Sequence, residues 1–440
     1  MDRVIKVWNY QFYLGELLVI TLTFLAMENI FSWLLYPVSE VLLNYEKILT
    51  ILIFAYLLYE FRALKTNEKV YLGLFTAFIL KLVFESMIHY GNFFEQLTLF
   101  SILFPVVFAI YVKFLCRSLQ IDFLPFISRF YLYLYLVFML IYGRQFSFSL
   151  NEIEMKDYGP FSGDSRIIHA RSIFMLILPM LYYLNQVVIH RHSKSLVPLM
   201  ICLAAILIHQ HRSVWASTMV ALLIMLFASY RNRFINLSRL YQIMLVCVLI
   251  ICFAGFILSA ANPHLIDFFG QRAGEILDPN REGTTGEFRE QQRLVYFQYV
   301  VQRPFFGWTF EGFNMPNPLV DWWPAKSGQH FHEGYMEMLF YHGIVGLLFK
   351  YIPIVYLLIK AFSKKLSQQS VILIAFCVSG LIFSLSYVLP LVYWGVVGMC
   401  FYQLEQDRIE QNDQELVQPP LETDEQRYIL SQFALNLNLK

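Results

Sequence analysis

Two histidines one residue apart, His330 and His332, stand where a polar stretch meets a strongly apolar run in "GQHFHEGYMEMLFYHGIVGLLFKY" from residue 328. A neutral imidazole near pH 7 can take a proton from an attacking hydroxyl, which makes His332 a candidate general base. Glu333 follows it directly and Glu337 lies five residues beyond it; on a helix either carboxylate can orient the ring or share the proton transfer. Arg212 in "IHQHRSVWAS", Arg289 and Arg293 one helical turn apart, and Arg303 supply the complementary chemistry. A guanidinium stays charged and presents a planar fork that fits phosphate oxygens, so arginines beside a membrane point to an anionic lipid head such as a diphosphate. His211, His330 and Tyr335 complete the candidates for substrate contact. Each has a plainer reading: Arg212 as a snorkelling cap, Arg289 and Arg293 as a solvated helix face, His332 as an interfacial ring bonded to a carbonyl.

Metal and cofactor chemistry are not expected. H-x-H recurs as "HRH" at 190, "HQH" at 209 and "HFH" at 330, but residues two apart on a helix point to different faces. No D-x-D pair is present to hold a divalent ion against a nucleotide diphosphate, and the carboxylates of "NEIE" at 151 read as a solvated loop.

Composition decides what kind of element positions these groups. The chain has 440 residues, 58% of them hydrophobic and 15% charged, whereas soluble domains are about 25% charged. The apolar residues form continuous blocks of about 17 to 25, enough to cross a hydrocarbon core of about 30 Å as helix. Continuity rather than alternation excludes a barrel. The predicted fold class is all-α, a polytopic membrane bundle of about 12 transmembrane helices. Spans are expected near 14–36, 46–63, 70–90, 97–116, 124–143, 171–190, 195–211, 213–230, 240–261, 334–360, 371–387 and 388–403, with a tight re-entry at Tyr387–Pro390. The first is long and lacks a small-residue cleavage site, so it reads as a retained helix.

Basic residues in short loops set the orientation. Arg62, Lys65 and Lys69, then Lys113 and Arg117, Arg191 and Lys194, Arg231, Arg233 and Arg239, and Lys360, Lys364 and Lys365 fall on one side when the spans are threaded in order. That side is expected to be cytoplasmic. Residues 1–261 then form a bundle of about nine helices, 262–333 a large outer loop, 334–403 the last helices, and 404–440 an acidic tail expected to be disordered. In the outer loop, turn-rich "DPNREGTTGEF" precedes "REQQRLVYFQYVVQ", where Leu294, Phe297, Val300 and Val301 recur at helical spacing. This predicts an amphipathic helix on the outer membrane surface. The aromatic stretch "RPFFGWTFEGF" ends it. The net charge of +1 gives no basic surface for a nucleic acid. Lys81 and Glu85, inside a span at i,i+4 spacing, can neutralise one another.

With these pieces in place, the chain resembles the O-antigen ligase and polymerase superfamily, membrane glycosyltransferases that use polyprenyl-diphosphate sugars. "HRSVWAS" at 211 is similar to the family's Ser/Arg turn between two spans, and "GEFREQQRLVYFQYVVQRPFFGWTFEGF" from 286 to its arginine-led outer helix. "HFHEGYMEML" is similar to its H-x-H-N-x-Y-L segment, and "YHGIVGLL" to the small-residue turn in the following helix. The likeness covers roughly the second half of the chain. It implies a GT-C-like bundle in a bacterial inner membrane, with its site facing the periplasm. It also implies an undecaprenyl-diphosphate-linked glycan as donor and a glycan or lipid-linked acceptor, with membrane lipids, a flippase and a chain-length regulator as partners. Arg212 and Arg289 match the arginines held to bind the donor diphosphate, and His332 the histidine held to be catalytic. Where the family has Asn after that histidine, this chain has Glu333. A lipid-linked oligosaccharide flippase is the rival reading. Symmetric halves and a charged central cavity would favour it, and the sequence displays no repeat.

Overall fold

The computed structural model describes residues 4–7, 10–13, 39–120, 122–143, 168–209, 211–238, 241, 270, 274, 285–319, 328–329 and 331–417. The spans expected near 14–36 and 240–261, and His330, lie outside the described residues. Apart from an antiparallel hairpin of β1 (Val4–Val7) and β2 (Tyr10–Tyr13), with Val4 opposite Tyr13, the described elements are helices. Five are long and apolar enough to cross a membrane: Thr66–Tyr90, Phe123–Tyr142, Ala170–Val188, Arg212–Arg231 and Gly334–Ala361. Leu49–Tyr59, Ser193–Ile208 and Gln368–Phe383 are shorter apolar helices.

In chain order the helices are α1 (Ser39–Tyr59), α2 (Thr66–Tyr90), α3 (Leu97–Ser101), α4 (Phe104–Leu119), α5 (Phe123–Tyr142), α6 (Ala170–Met175) and α7 (Ile177–Val188). They continue as α8 (Leu196–Ile208), α9 (Arg212–Arg231), α10 (Thr285–Gln302), α11 (Thr309–Asn314), α12 (Gly334–Ala361), α13 (Gln368–Phe383) and α14 (Leu391–Val417). Prolines account for several breaks. Pro105 opens α4 within its first turn, where its missing N–H costs nothing, and so divides the stretch 97–116 that the sequence reads as one span. Pro179 cannot donate to the carbonyl of Met175, and α6 gives way to α7 there.

The helices share one apolar core. α14 lies against α4 so closely that a side-chain carbon on Gly398 would overlap the Ala109 carbonyl. At the end of the bundle that carries Lys65 and Arg117, ion pairs join these helices to α2. Lys113 Nζ reaches Glu68 Oε1 at 2.8 Å and also bonds Glu405, while Arg117 Nη2 reaches Glu68 Oε2 at 2.8 Å. α14 therefore runs past residue 404, where the sequence places the start of a disordered tail. Glu405 there is a partner of Lys65 at 2.7 Å, and Asp407 accepts from the Ser367 N–H at 3.0 Å. Acidic residues that read as solvated in the sequence are bound to the bundle.

α12 is broken at Gly343, whose φ of 63° and ψ of −165° lie outside helical space. Its freed amides are taken up from outside: Ile344 N donates to Pro304 O at 2.8 Å and Val345 N to Phe305 O at 3.1 Å. Trp308 N returns a bond to Phe340 O at 2.8 Å. The break thus clamps the turn after α10 onto the helix that begins beside His332.

Candidate functional site

α10 presents two faces. Gln292, Tyr296 and Val300 are buried towards α12, while Leu294, Phe297 and Val301 are exposed with Phe305 and Phe306. The exposed stripe is the apolar face that the spacing assigns to the membrane surface, with one correction: Val300, expected on it, turns to the buried side. The buried face is anchored by Gln329, which no motif singles out. Tyr296 Oη donates to Gln329 Oε1 at 2.6 Å, and Gln329 Nε2 donates to Gly312 O at 3.1 Å and Met315 O at 2.7 Å. Gln329 N donates to Tyr341 Oη at 2.6 Å. These bonds fix the segment that enters α12 against both α10 and α11.

The first site pair follows from this docking. Arg293 Nε donates to both Glu333 carboxylate oxygens, at 2.9 and 3.0 Å, and Nη2 to Oε1 at 2.6 Å. Glu333 is 7% exposed and Arg293 47%. Hydrogen bonding to Glu333 raises the Arg293 pKa still further. The acid that stands where the resemblance expects Asn thus fastens the start of α12 to α10.

One turn earlier on α10, Arg289 is placed differently. Its guanidinium carbon sits 5.2 Å from the centroid of the Tyr387 ring, and its buried Nε has no hydrogen-bond partner among the described residues. Cation–π contact holds the charge without consuming its N–H groups. The Phe288 ring meets the His332 ring edge-on at 6.2 Å, so the histidine stands beside the same turn. Tyr387 also meets His169, ring to ring at 5.8 Å. His169 Nδ1 accepts from Arg171 N at 3.1 Å as the N-cap of α6, which leaves the proton of the neutral ring on Nε2. Burial, and then the charges of Arg171 and His332, push its pKa down to about 3.

Arg212 joins the same end of the molecule through its neighbour. It opens α9, and His211 just before it bonds the Ile168 carbonyl through Nε2 at 2.9 Å. The turn between α8 and α9 is thereby pinned to the residue preceding His169. His211 is buried, and its Nε2 is engaged by backbone.

The remaining candidates lie elsewhere. Arg303 pairs with Glu311 at 2.5 Å and stacks 4.1 Å from the Trp308 ring centroid. Tyr335 Oη donates to Leu381 O at 2.7 Å and its ring packs 4.6 Å from Tyr351, a structural occupation of the hydroxyl. Glu337 is inside α12, with one carboxylate oxygen buried and without a hydrogen-bond partner among the described residues. The charges of Lys350 and Arg171 act on it. The structure therefore gathers Arg289 and His332, with Arg212 reached through the His211–Ile168 bond, adds His169 and Tyr387, and assigns Arg293 to Glu333.

The fold and this cluster define a multi-pass membrane protein with arginines and imidazoles concentrated at one end of a helical bundle. Residues 197–350 match the family model described as O-Antigen ligase. No curated protein matches the chain. The matched segment contains Arg212, Arg289, Arg293, His332 and Glu333, whereas His169, Arg171 and Tyr387 lie outside it.

Proposed function

We propose that this chain is an integral-membrane glycosyltransferase that moves glycan from an undecaprenyl-diphosphate-linked donor at the outer face, without a metal. The observation that carries the reading is Arg289: a guanidinium whose buried Nε has no partner among the described residues, beside the turn whose Phe288 touches His332. In this reading Arg289 and Arg212 meet the charge that develops on the diphosphate as the anomeric C–O bond breaks. An acceptor hydroxyl attacks the anomeric carbon from the opposite face, its proton passes to His332, and the bonding pair leaves with the diphosphate, so configuration inverts. Arg293 acts by holding Glu333, and Arg303 by holding the turn after α10. Polymerisation of lipid-linked repeats in surface polysaccharide synthesis is the favoured reaction, with transfer of a finished glycan to a lipid A-core acceptor as the alternative.

The test is reconstitution with a defined undecaprenyl-diphosphate glycan and mass spectrometry of the products. Wild type is expected to form a longer or transferred glycan and His332→Ala none, with both proteins equally inserted. Transfer by the alanine variant would remove the histidine from the mechanism. Gel analysis of surface polysaccharide from a deletion strain separates the reactions: single repeats without a ladder mark a polymerase, and a full ladder stranded on carrier lipid marks a ligase.

A further inference from the structure

The end of the bundle opposite His332 contains a cavity of ≈340 Å³ between α2, α4, α12 and α14, within the range of about 300–1,000 Å³ typical of small-ligand sites. Its wall changes character along its length. Glu68 and Lys113 form the polar end, and Ile352, Tyr356, Trp394 and Phe401 the apolar remainder. Ile352 and Tyr356 are 46% and 44% exposed. They share the exposed flank of α12 with Leu348, Val355 and Ile359, so the mouth opens sideways into the hydrocarbon zone. The Tyr356 and Phe401 rings stack at 5.9 Å beside it.

The polar end of the wall calls for an anionic head and the apolar remainder for an apolar body. Among the described residues, the ion network at the polar end joins Lys65, Lys113 and Arg117 to two carboxylates, Glu68 and Glu405, a surplus of one positive charge. Lys113 Nζ bonds two carboxylates, and an ammonium has a third N–H to give. Trp394 and Phe401 line the apolar remainder, where an acyl chain would lie.

We propose that this cavity binds an anionic glycerophospholipid of the leaflet at the basic end, its phosphate against Lys113 and its flanking cations, one acyl chain lying along Ile352, Tyr356, Trp394 and Phe401. Basic pockets between transmembrane helices select anionic headgroups in this way. The site lies at the other end of α12 from His332, and the proposal does not depend on the glycosyltransferase reading.

The test uses the full chain in nanodiscs of equal parts phosphatidylglycerol and phosphatidylcholine, with retained lipid read by native mass spectrometry after transfer to detergent. Wild type is expected to retain phosphatidylglycerol about fivefold over phosphatidylcholine, the factor one surplus cation gives. Ile352→Trp, which fills the exposed mouth without touching the ion network, is expected to lose retained lipid of both kinds. Lys113→Gln is expected to keep a lipid but lose the headgroup preference; if that variant does not fold, Ile352→Trp alone decides. Equal retention of the two lipids by wild type, or undiminished retention by Ile352→Trp, would overturn the proposal. Thermal protection by inorganic phosphate alone equal to that by phosphatidylglycerol would overturn it in favour of a phosphate site.

Discussion

At the scale of single residues, the unequal exposure of Arg293 and Glu333 makes their pair asymmetric. Removing the arginine leaves a carboxylate at 7% exposure with its strongest donor gone, a cost of about 1–3 kcal/mol. Removing the acid leaves a half-exposed guanidinium that water can serve, a cost of about 1 kcal/mol or less. Arg293→Gln is therefore expected to lower the unfolding temperature in detergent by more than Glu333→Gln does. His169 gives a pH signature. Its folded pKa is about 3 and its unfolded value is about 6.5, so below about 6.5 the unfolded chain takes up a proton that the folded chain refuses. Stability from this group is complete above that pH and falls on acidification towards 3, by up to about 1.4 kcal/mol per pH unit. His169→Asn keeps a side chain suited to the N-cap and is expected to flatten the loss of unfolding temperature between pH 7 and pH 5. An unchanged slope would mean that another group titrates there. His332, Arg289 and Arg212 were legible because they stand in recognisable stretches. His169 and Tyr387 were not, since each is isolated in its own segment and only the packing of α6 and the loop before α14 brings them to α10.

At the scale of elements, apolar blocks and helical spacing located the long helices, but breaks depended on contacts remote in sequence. Gly343 is the clearest instance. Its neighbours fit a small-residue turn, yet the reason for glycine lies some forty residues away, in the carbonyls of Pro304 and Phe305. With φ 63° and ψ −165° it occupies backbone space that is essentially glycine's alone, and a side-chain carbon would overlap Phe305. Gly343→Ala is expected to destabilise by about 3 kcal/mol or more. It should also loosen the turn after α10, raising proteolytic cleavage near Phe305 and Phe306. Gly73→Ala is the control: it sits in α2 with nothing within 4 Å of the added carbon, and alanine there should gain about 0.5–1 kcal/mol. If the two substitutions shift the unfolding temperature alike, the clamp contributes nothing. The continuation of α14 to Val417 was hidden for a similar reason. Acidic composition signals a solvated tail until Lys65, Lys113 and the Ser367 amide are known to face it.

At the scale of the whole molecule, the two ends of the bundle differ in how they manage charge, and that difference gives a test of orientation. At one end Lys65, Lys113 and Arg117 are tied to Glu68 and Glu405, with Lys360 in the last turn of α12 and Lys364 and Lys365 just beyond it. At the other, Arg289 rests on an aromatic ring with Nε unspent and Arg293 is matched by a single carboxylate. Basic loops are retained on the cytoplasmic side during insertion, so the tied end should face inward and the Arg289 end outward. α12 connects them: at 28 residues and 1.5 Å per residue it can reach about 40 Å, enough to cross the hydrocarbon core. Phe306 at its outer flank and Phe362 at its far end are both exposed, and the four described cysteines are buried. In a background without native cysteines, Phe306→Cys is expected to react with a membrane-impermeant maleimide in intact cells, and Phe362→Cys only after the membrane is opened. Labelling of both positions from outside would break the assignment of ends. The reverse pattern would place Arg289 and His332 in the cytoplasm, where an acceptor for outer-face polysaccharide is not presented, and the proposed reaction would fail with it.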